Sequence, residues 1–428
     1  MDNWLLRAAA IDPERAALVT TDGVVSYREL AARAVRGAGT LRAAGVQTGH
    51  PVAITLPAGA DYVTAVHGVL LAGAIAVPID LRLTVEERAR RTPPGAYVCN
   101  HPLAGAPLAG PVAIVLERPA AIMHTSGTTS DPRPVTLTFG NWLANALGSA
   151  IGLGLDHQER WLCPMPVVHV GGLSILMRSA IYGTTVVLHD RFDTDAVLGA
   201  LMSEAERITL VSLVPTMLAR LLDAGLYRPP ALRWALLGGG PIAPALLERA
   251  RAAEVAVAPT YGMTEACSQI ATHGWPLPGV DVRLGPDAEI LVRGAIVSPG
   301  ALSADGWLHT GDLGAFDDRG RLEIIGRKAD TIVTGGENVA PAEVEAVLLE
   351  HPAVADAAVH ARPDPEWGEA VIATVVLVGG ARIEPEELRT FTAARIAPYK
   401  VPKAIGFTDV LPRTVSGKLL RRALEALD

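Results

Sequence analysis

The chain has 428 residues and a formal net charge of −8; half its residues are hydrophobic and 19% are charged. That length exceeds one simple core, so two or more domains are expected, and the acidic balance argues against a nucleic-acid binder, which is more often basic. The cysteines, Cys99, Cys163 and Cys267, are few, far apart and odd in number, which argues against a disulfide framework or zinc site and suits a reducing cytoplasm.

The first residues carry acidic side chains and no apolar leader core, so no signal peptide is expected. Ser26–Glu29 has a capping-box pattern opening a helix toward Arg42. A strand over 51–56, a helix over 61–71 and a strand over 75–79 follow. The apolar run 63–79 contains His67 and two glycines and is short for a membrane span. A short charged helix covers 86–91, and 93–120 reads as trimmed loops and short strands. This βα order predicts a parallel, doubly wound sheet.

From 120 the same rhythm continues. Strands are predicted at 121–123, 161–164, 185–188, 210–213, 234–237 and 255–258. Helices are predicted at 141–150, 174–181, 195–205, 215–224 and 244–253. The C-terminal hundred residues read as a compact α+β unit, with strands 354–360 and 370–378 between helices 341–349 and 386–396, and a basic helix ending the tail. Between the two halves, Asp317-Asp318-Arg319-Gly320 is a hairpin turn signal between strands 315–316 and 321–325. A polar, aperiodic stretch Gly326–Asp330 follows, then the run 331–334 ending at Gly335-Gly336.

Three segments follow strands and carry chemistry-bearing residues. Thr125-Ser126-Gly127-Thr128-Thr129 can wrap a phosphate with backbone and hydroxyl donors. It is not a Walker A loop, and alone it is equally a polar surface turn. Gly239-Gly240-Pro241 offers bare backbone to a flat ring, or is a plain tight turn. Tyr261-Gly262-Met263-Thr264-Glu265 sits where ligands bind at strand C-termini, or is a Thr-x-Glu helix cap. Asp312 and Lys418, taken singly, read as a turn residue and a solvated terminal lysine.

The ordered set TSGTT, YGMTE, TGD, GRKAD, GGENVAPAEVE and the terminal PRTVSGK resembles the adenylate-forming superfamily of acyl- and aryl-CoA ligases. The resemblance covers nearly the whole chain. It implies a large N-terminal α/β domain with layered sheets and a β-barrel-like part (1–327), joined to a small mobile α+β domain (328–428). It implies ATP, Mg²⁺ and coenzyme A as cofactors and co-substrates. Thr125–Thr129 would hold phosphate, Gly239–Pro241 and Tyr261 adenine, and Asp312 and Arg327 the ribose. Thr264 would touch the α-phosphate, Glu265 hold the metal and Lys418 act in adenylation. Gly335 and Gly336 would line the thiol tunnel. The phosphate loop departs from the family pattern TSGTTGxPKG at Ser130, Asp131, Arg133 and Pro134, and the hinge position holds Ala329.

A tighter match, over 166–174, Arg178, 181–189, 236–241 and 261–272, resembles the o-succinylbenzoate–CoA ligase branch, which acts in menaquinone biosynthesis. It implies an acid pocket with His169, Arg178, Ser268 and Gln269, in which Arg178 pairs with the carboxylate that does not react. As residues alone, His169 is equally a satisfied core histidine, Arg178 an exposed helix arginine, and Ser268 and Gln269 helix-surface residues. The expected partners are a small carboxylic acid, ATP and CoA in the cytoplasm, with a homo-oligomer possible and neither nucleic acid nor a membrane span. Other acyl- or aryl-CoA ligases, carrier-protein-loading enzymes and a nucleotide-binding protein without catalysis remain alternatives.

Overall fold

A computed structural model describes residues 1–125, 133–413 and 419–424, apart from the side chain of Arg422. Four sheets organise it. The first has five strands in the order Tyr97–Cys99, Pro51–Ile54, Ile75–Pro78, Pro119–His124 and Pro134–Thr138, with the last antiparallel to its neighbour. The second has nine, running from Trp275–Pro276 through Ser268–Thr272, Val257–Met263, Trp234–Leu237, Leu210–Leu213, Arg160–Cys163, Thr185–Leu188 and Ala16–Thr20 to Gly23–Ser26. Its middle is parallel, and antiparallel hairpins extend both ends.

The parallel strands follow from their sequence. Thr185–Leu188, Leu210–Leu213 and Ile75–Pro78 are buried at every position, as continuous β-branched and leucine runs are when helices cover both faces. The third sheet, Val280–Leu284, Glu289–Gly294, Leu308–Phe316 and Leu322–Arg327, is antiparallel. Leu308–Phe316 shows the alternation of a sheet with one wet face. This sheet stands where the β-barrel-like part is expected. The fourth belongs to the C-terminal unit: Glu337–Val339, Ile332–Thr334, Gly368–Leu377 and Val354–Asp364, with Ala404–Phe407 alongside. Its own core includes Ile332, Val344, Leu348, Val359, Val371 and Leu388.

Two helices matter most for the site. Thr138 and Asn141 form a reciprocal capping box at the start of Phe139–Leu153. The Asn141 amide also donates to Ala295 and Val297 carbonyls at 2.9 Å, so the helix start is stapled to the chain just beyond Glu289–Gly294. Helix Val170–Tyr182 packs beside it and ends in a left-handed Gly183. Tyr27, buried at the head of Tyr27–Ala43, donates its hydroxyl toward the carbonyls of Ser179 and Thr184.

Most elements lie within a few residues of expectation, and two readings are corrected. The strand read as 255–258 runs Val257–Met263, and 268–272 returns as its antiparallel partner. Hydrogen bonding across that pair, not local propensity, carries the strand through the YGM motif. The tail read as a basic helix shows a single 3₁₀ turn, Arg421–Ala423, among the described residues. Arg421 there is drawn inward by Glu345 and Asp330. No helix among the described residues is long and apolar enough to cross a membrane.

His67, in helix Ala60–Leu71, is buried, and burial pushes its pKa down to about 4. Burial likewise takes His124 to about 4. Between pH 6.5 and 4 the unfolded chain therefore binds protons that the folded chain refuses, so stability falls as pH falls through that window. His67→Gln is expected to flatten the slope of unfolding free energy against pH there by up to one proton, about 1.4 kcal/mol per pH unit, read by urea denaturation at stepped pH.

Candidate nucleotide and acid site

The site lies at the C-terminal ends of the parallel strands, where an open α/β sheet leaves a crevice. Strand Trp234–Leu237 pairs in parallel with Val257–Met263, placing Leu237 opposite Pro259. The two loops leaving them are tightly fitted. A Cβ on Gly238 would stand 2.5 Å from Thr260 Oγ1, which itself donates to the Leu237 carbonyl at 3.2 Å. Gly239 has φ +80°, and Gly239, Gly240 and Pro241 are exposed. Bare peptide planes thus lie open next to the strand that carries Tyr261.

Beyond Tyr261 the chain turns sharply. A Cβ on Gly262 would sit 1.7 Å from the Ser268 carbonyl oxygen, so no other residue fits without moving that segment. Thr264–Ala266 is a 3₁₀ turn, and Cys267 and Ser268 then take φ +54° and +96°. Two successive non-glycine residues at positive φ are strained, and such strain persists where neighbours over-determine it. Here the neighbours are identifiable. The Ser298 N–H donates to the Glu265 carbonyl at 2.8 Å, while Ser298 Oγ donates to Thr136 O at 2.8 Å.

Thr264 and Glu265 are half-buried. The Glu265 carboxylate has no ion-pair partner among the described residues, and no cluster of three or more His, Cys, Asp or Glu there is built to hold a metal. A lone carboxylate of this kind fits Mg²⁺, which takes one or two carboxylates and completes its shell with water and substrate phosphate.

Asp312 is buried and shared. The Tyr261 hydroxyl donates to its Oδ2 at 2.8 Å, and Arg327 Nε approaches its Oδ1 at 2.7 Å. Burial, with the Asp312 charge beside it, pushes the Tyr261 phenol well above its ordinary pKa, so it stays a donor. Arg327 belongs to strand Leu322–Arg327, directly across from Asp312, not to the polar stretch Gly326–Asp330 expected from the sequence. The ladder to Leu308–Phe316 captures Gly326 and Arg327 and brings the Arg327 guanidinium into register with the Asp312 carboxylate.

The acid-side residues gather around helix Val170–Tyr182. His169 is its N-cap residue, half-buried, with Nε2 3.4 Å from Arg82. Arg82 in turn holds Asp80 in a fork at 2.8 and 2.6 Å. Arg178 is 3% exposed. Its Nη2 donates to Asn145 Oδ1 at 2.5 Å, its guanidinium lies over Trp161 at 5.6 Å, and its Nε has no partner. No acidic side chain pairs with it among the described residues. Burial lowers its pKa, as expected for a cation without a counter-ion. Asn145 also donates to the Gln269 carbonyl at 2.8 Å. Gln269 and Ser268 lie on the strand Ser268–Thr272, not on a helix surface. Gln269 is buried, bonds Thr272 through Nε2 and leaves Oε1 unpaired.

Ser126, Gly127, Thr128, Thr129 and Lys418 lie outside the described residues. Thr125 follows strand Pro119–His124, and its N–H donates to Arg133 O at 3.2 Å across the loop neck. Gly335 and Gly336 form the hairpin turn after Ile332–Thr334, both at positive φ. They sit on the C-terminal sheet, where Gly335 N–H donates to Trp367 O at 2.8 Å. Ala329 is the middle residue of the 3₁₀ turn Lys328–Asp330. Arg82, Asn145, Thr260 and Ser298 were not legible as site residues. Each works through a partner more than twenty residues away, except the local Arg82–Asp80 fork.

The AMP-binding enzyme family model matches residues 5–92 and 100–300, and the AMP-binding enzyme C-terminal domain matches 343–418. The chain belongs to the AMP-binding enzyme family. Within it, the chain is 38% identical to the 2-succinylbenzoate–CoA ligase of Bacillus licheniformis over 476 aligned positions, covering 99% of both proteins. The relative is thus longer through insertions, and the family match breaks at 93–99, in the segment expected to be trimmed. The fold matches the o-succinylbenzoate CoA synthetase of Bacillus subtilis bound to its acyl-adenylate, OSB-AMP, with TM-score 0.91 at 36% identity, covering 99% of this chain and 98% of that one. The same synthetase with ATP and magnesium gives 0.90 at 36%, covering 99% of each. A double mutant of it carrying a product analogue, OSB-NCoA, gives 0.74 at 37%, covering 99% and 98%.

Gly262→Ala tests how far the turn is fixed by close approach. The added methyl must displace the Ser268 backbone, and a misplacement of about 1 Å near reacting groups costs about 10²-fold. Adenylation measured by pyrophosphate release is expected to fall on that scale, with far-UV circular dichroism unchanged.

Proposed function

We propose that this protein is an AMP-forming 2-succinylbenzoate–CoA ligase acting in menaquinone biosynthesis. A carboxylate oxygen of the acid attacks the α-phosphorus of ATP, the bond to pyrophosphate breaks, and an acyl-adenylate forms. The thiol of coenzyme A then attacks the acyl carbonyl, AMP leaves, and the thioester is released. The observation that carries the reading is the convergence of Tyr261, Asp312 and Arg327 beside the open Gly239–Pro241 backbone. Adenine lies on that backbone against Tyr261, and the ribose hydroxyls donate to Asp312. Thr125 and the loop it begins hold phosphate, and Thr264 meets the α-phosphate. Magnesium, when bound with ATP at Glu265, supplies neutralising charge to the phosphates.

The buried, uncompensated Arg178 favours this acid. 2-Succinylbenzoate carries two carboxylates and only one reacts, so the other enters a largely apolar interior and needs a counter-charge. Arg178 supplies a planar fork already desolvated and pre-aimed by Asn145. His169 lines the entry to the pocket, with Ser268 and Gln269 on the opposite strand. Lys418 stabilises charge at the α-phosphate during adenylation. The units 1–327 and 328–428 then turn about Ala329, and Gly335-Gly336 comes to the thiol path. The higher likeness to the adenylate-bound synthetase than to the product-analogue complex agrees with an adenylate-forming arrangement of this chain.

Pyrophosphate release with a panel of acids tests the assignment. 2-Succinylbenzoate is expected to be the preferred acid, and equal activation of 4-oxo-4-phenylbutyrate, which lacks the second carboxylate, contradicts it. Arg178→Ala removes one half of a buried charge pair, a loss of roughly 2–5 kcal/mol. The kcat/KM for 2-succinylbenzoate is therefore expected to fall more than tenfold, with the preference over the keto acid lost.

Lys418→Ala is expected to slow adenylation by roughly 10²–10³, the scale of one preorganised donor. Thioester formation from supplied acyl-adenylate is expected to stay near the parent rate. Equal damage to both half-reactions contradicts the two-arrangement scheme.

A further inference from the structure

The turn that presents Asp312 is irregular, and its irregularity points to one side chain. Strand Leu308–Phe316 pairs with Glu289–Gly294, but the register shifts between Glu289 and Leu291. Gly311 there has φ +69°. A bulge of this kind leaves ladder groups unpaired and re-aims a side chain. The Gly311 N–H is caught by a carboxylate: it donates to Glu289 Oε1 at 3.0 Å. The next residue in the turn is held from the same strand, since Thr310 Oγ1 donates to Ile290 O at 2.7 Å and accepts from the Asp312 N–H at 3.1 Å.

The other oxygen of Glu289 faces the joint between the two units. Lys328 Nζ lies 3.6 Å from Glu289 Oε2 and 2.9 Å from Asp287 Oδ2. His309 Nδ1 is 3.7 Å from the same Glu289 oxygen and Nε2 3.2 Å from Asp305. On the far side of Ala329, Asp330 is engaged by Arg421 at 3.3 Å, and Arg421 also holds the buried Glu345. Lys328 is thus tied to the third sheet and Asp330 to the C-terminal unit, with Ala329 between them.

We propose that Glu289 is a positioning residue for the nucleotide: one oxygen fixes the Gly311–Asp312 turn, the other holds Lys328 at the joint. Resting on the proposed ribose role of Asp312, this makes a single carboxylate set the aim of the sugar acceptor and share with Asp287 the N-terminal anchor of the joint. It has no contact of its own with the reacting atoms. The glutamine variant separates the two links, because an amide oxygen still accepts from Gly311 N–H but carries no charge for Lys328.

The test compares Glu289→Ala, Glu289→Gln, Lys328→Ala and Asp312→Asn in the full chain. It reads the Kd for ATP by calorimetry and the two half-reaction rates separately. Glu289→Ala is expected to weaken ATP about tenfold, the loss of one charge-assisted hydrogen bond at about 1.4 kcal/mol per decade. Glu289→Gln is expected to restore ATP binding to within about twofold, yet to shift the ratio of adenylation to thioester-forming rates in the same direction as Lys328→Ala and by less, since Asp287 still holds Lys328. If Asp312→Asn weakens ATP but Glu289→Ala does not, or if Glu289→Gln is as weak as the alanine variant, the proposal is overturned. A glutamine variant whose rate ratio stays at the parent value while Lys328→Ala shifts it overturns the link to the joint. If Asp312→Asn itself binds ATP normally, the ribose reading fails instead, and the proposal with it.

Discussion

The carboxylate of Asp312 is the constraint on which the rest of the site depends. It is buried, and it is shared by a phenol from one sheet and a guanidinium from its own sheet. A buried carboxylate without donors would be costly, so the two sheets are held where both donors reach it. The same group fixes Tyr261 beside the open glycine loop and Arg327 at the end of the last strand before the joint. The placement of Tyr261 and the start of the C-terminal unit are therefore geometrically one problem.

A second buried charge organises the acid side differently. Arg178 sits between helices Phe139–Leu153 and Val170–Tyr182, stacked over Trp161 and steered by Asn145. Its charge is not met by any acidic side chain among the described residues. A buried cation without a counter-ion is costly, and the Asn145 amide oxygen and the Trp161 ring are the groups that steady it. The contrast with Glu159 is instructive: that carboxylate, equally buried, has both Arg233 and Thr209 as partners, as a purely structural charge does.

Backbone strain and close packing meet in the turn that follows Tyr261. Cys267 and Ser268 at positive φ, and Gly262 pressed against the Ser268 carbonyl, all fall in the few residues that carry Thr264 and Glu265. The strand hairpin on one side and Ser298 on the other hold the turn in place. Groups fixed in position in this way need no reorganisation to act.

The central helices, the parallel strands and the motifs that carry Tyr261, Thr264, Glu265, Asp312 and Arg327 could be read from the sequence, whereas the strands over 16–26 and 268–294 could not. The motifs are short and contiguous, and parallel strands buried on both faces stand out as continuous apolar runs. The tertiary structure alone decided what touches what. Arg327 faces Asp312 because a ladder extends two residues further than its polar composition suggested. Ser268 and Gln269 are strand residues because their partner strand is there to bond them. Asn145, Ser298 and Glu289 act on groups far away in the chain, through hydrogen bonds that no local pattern encodes. Sequence patterns report which face is buried and where the chain turns; only folding sets which distant donor meets which acceptor.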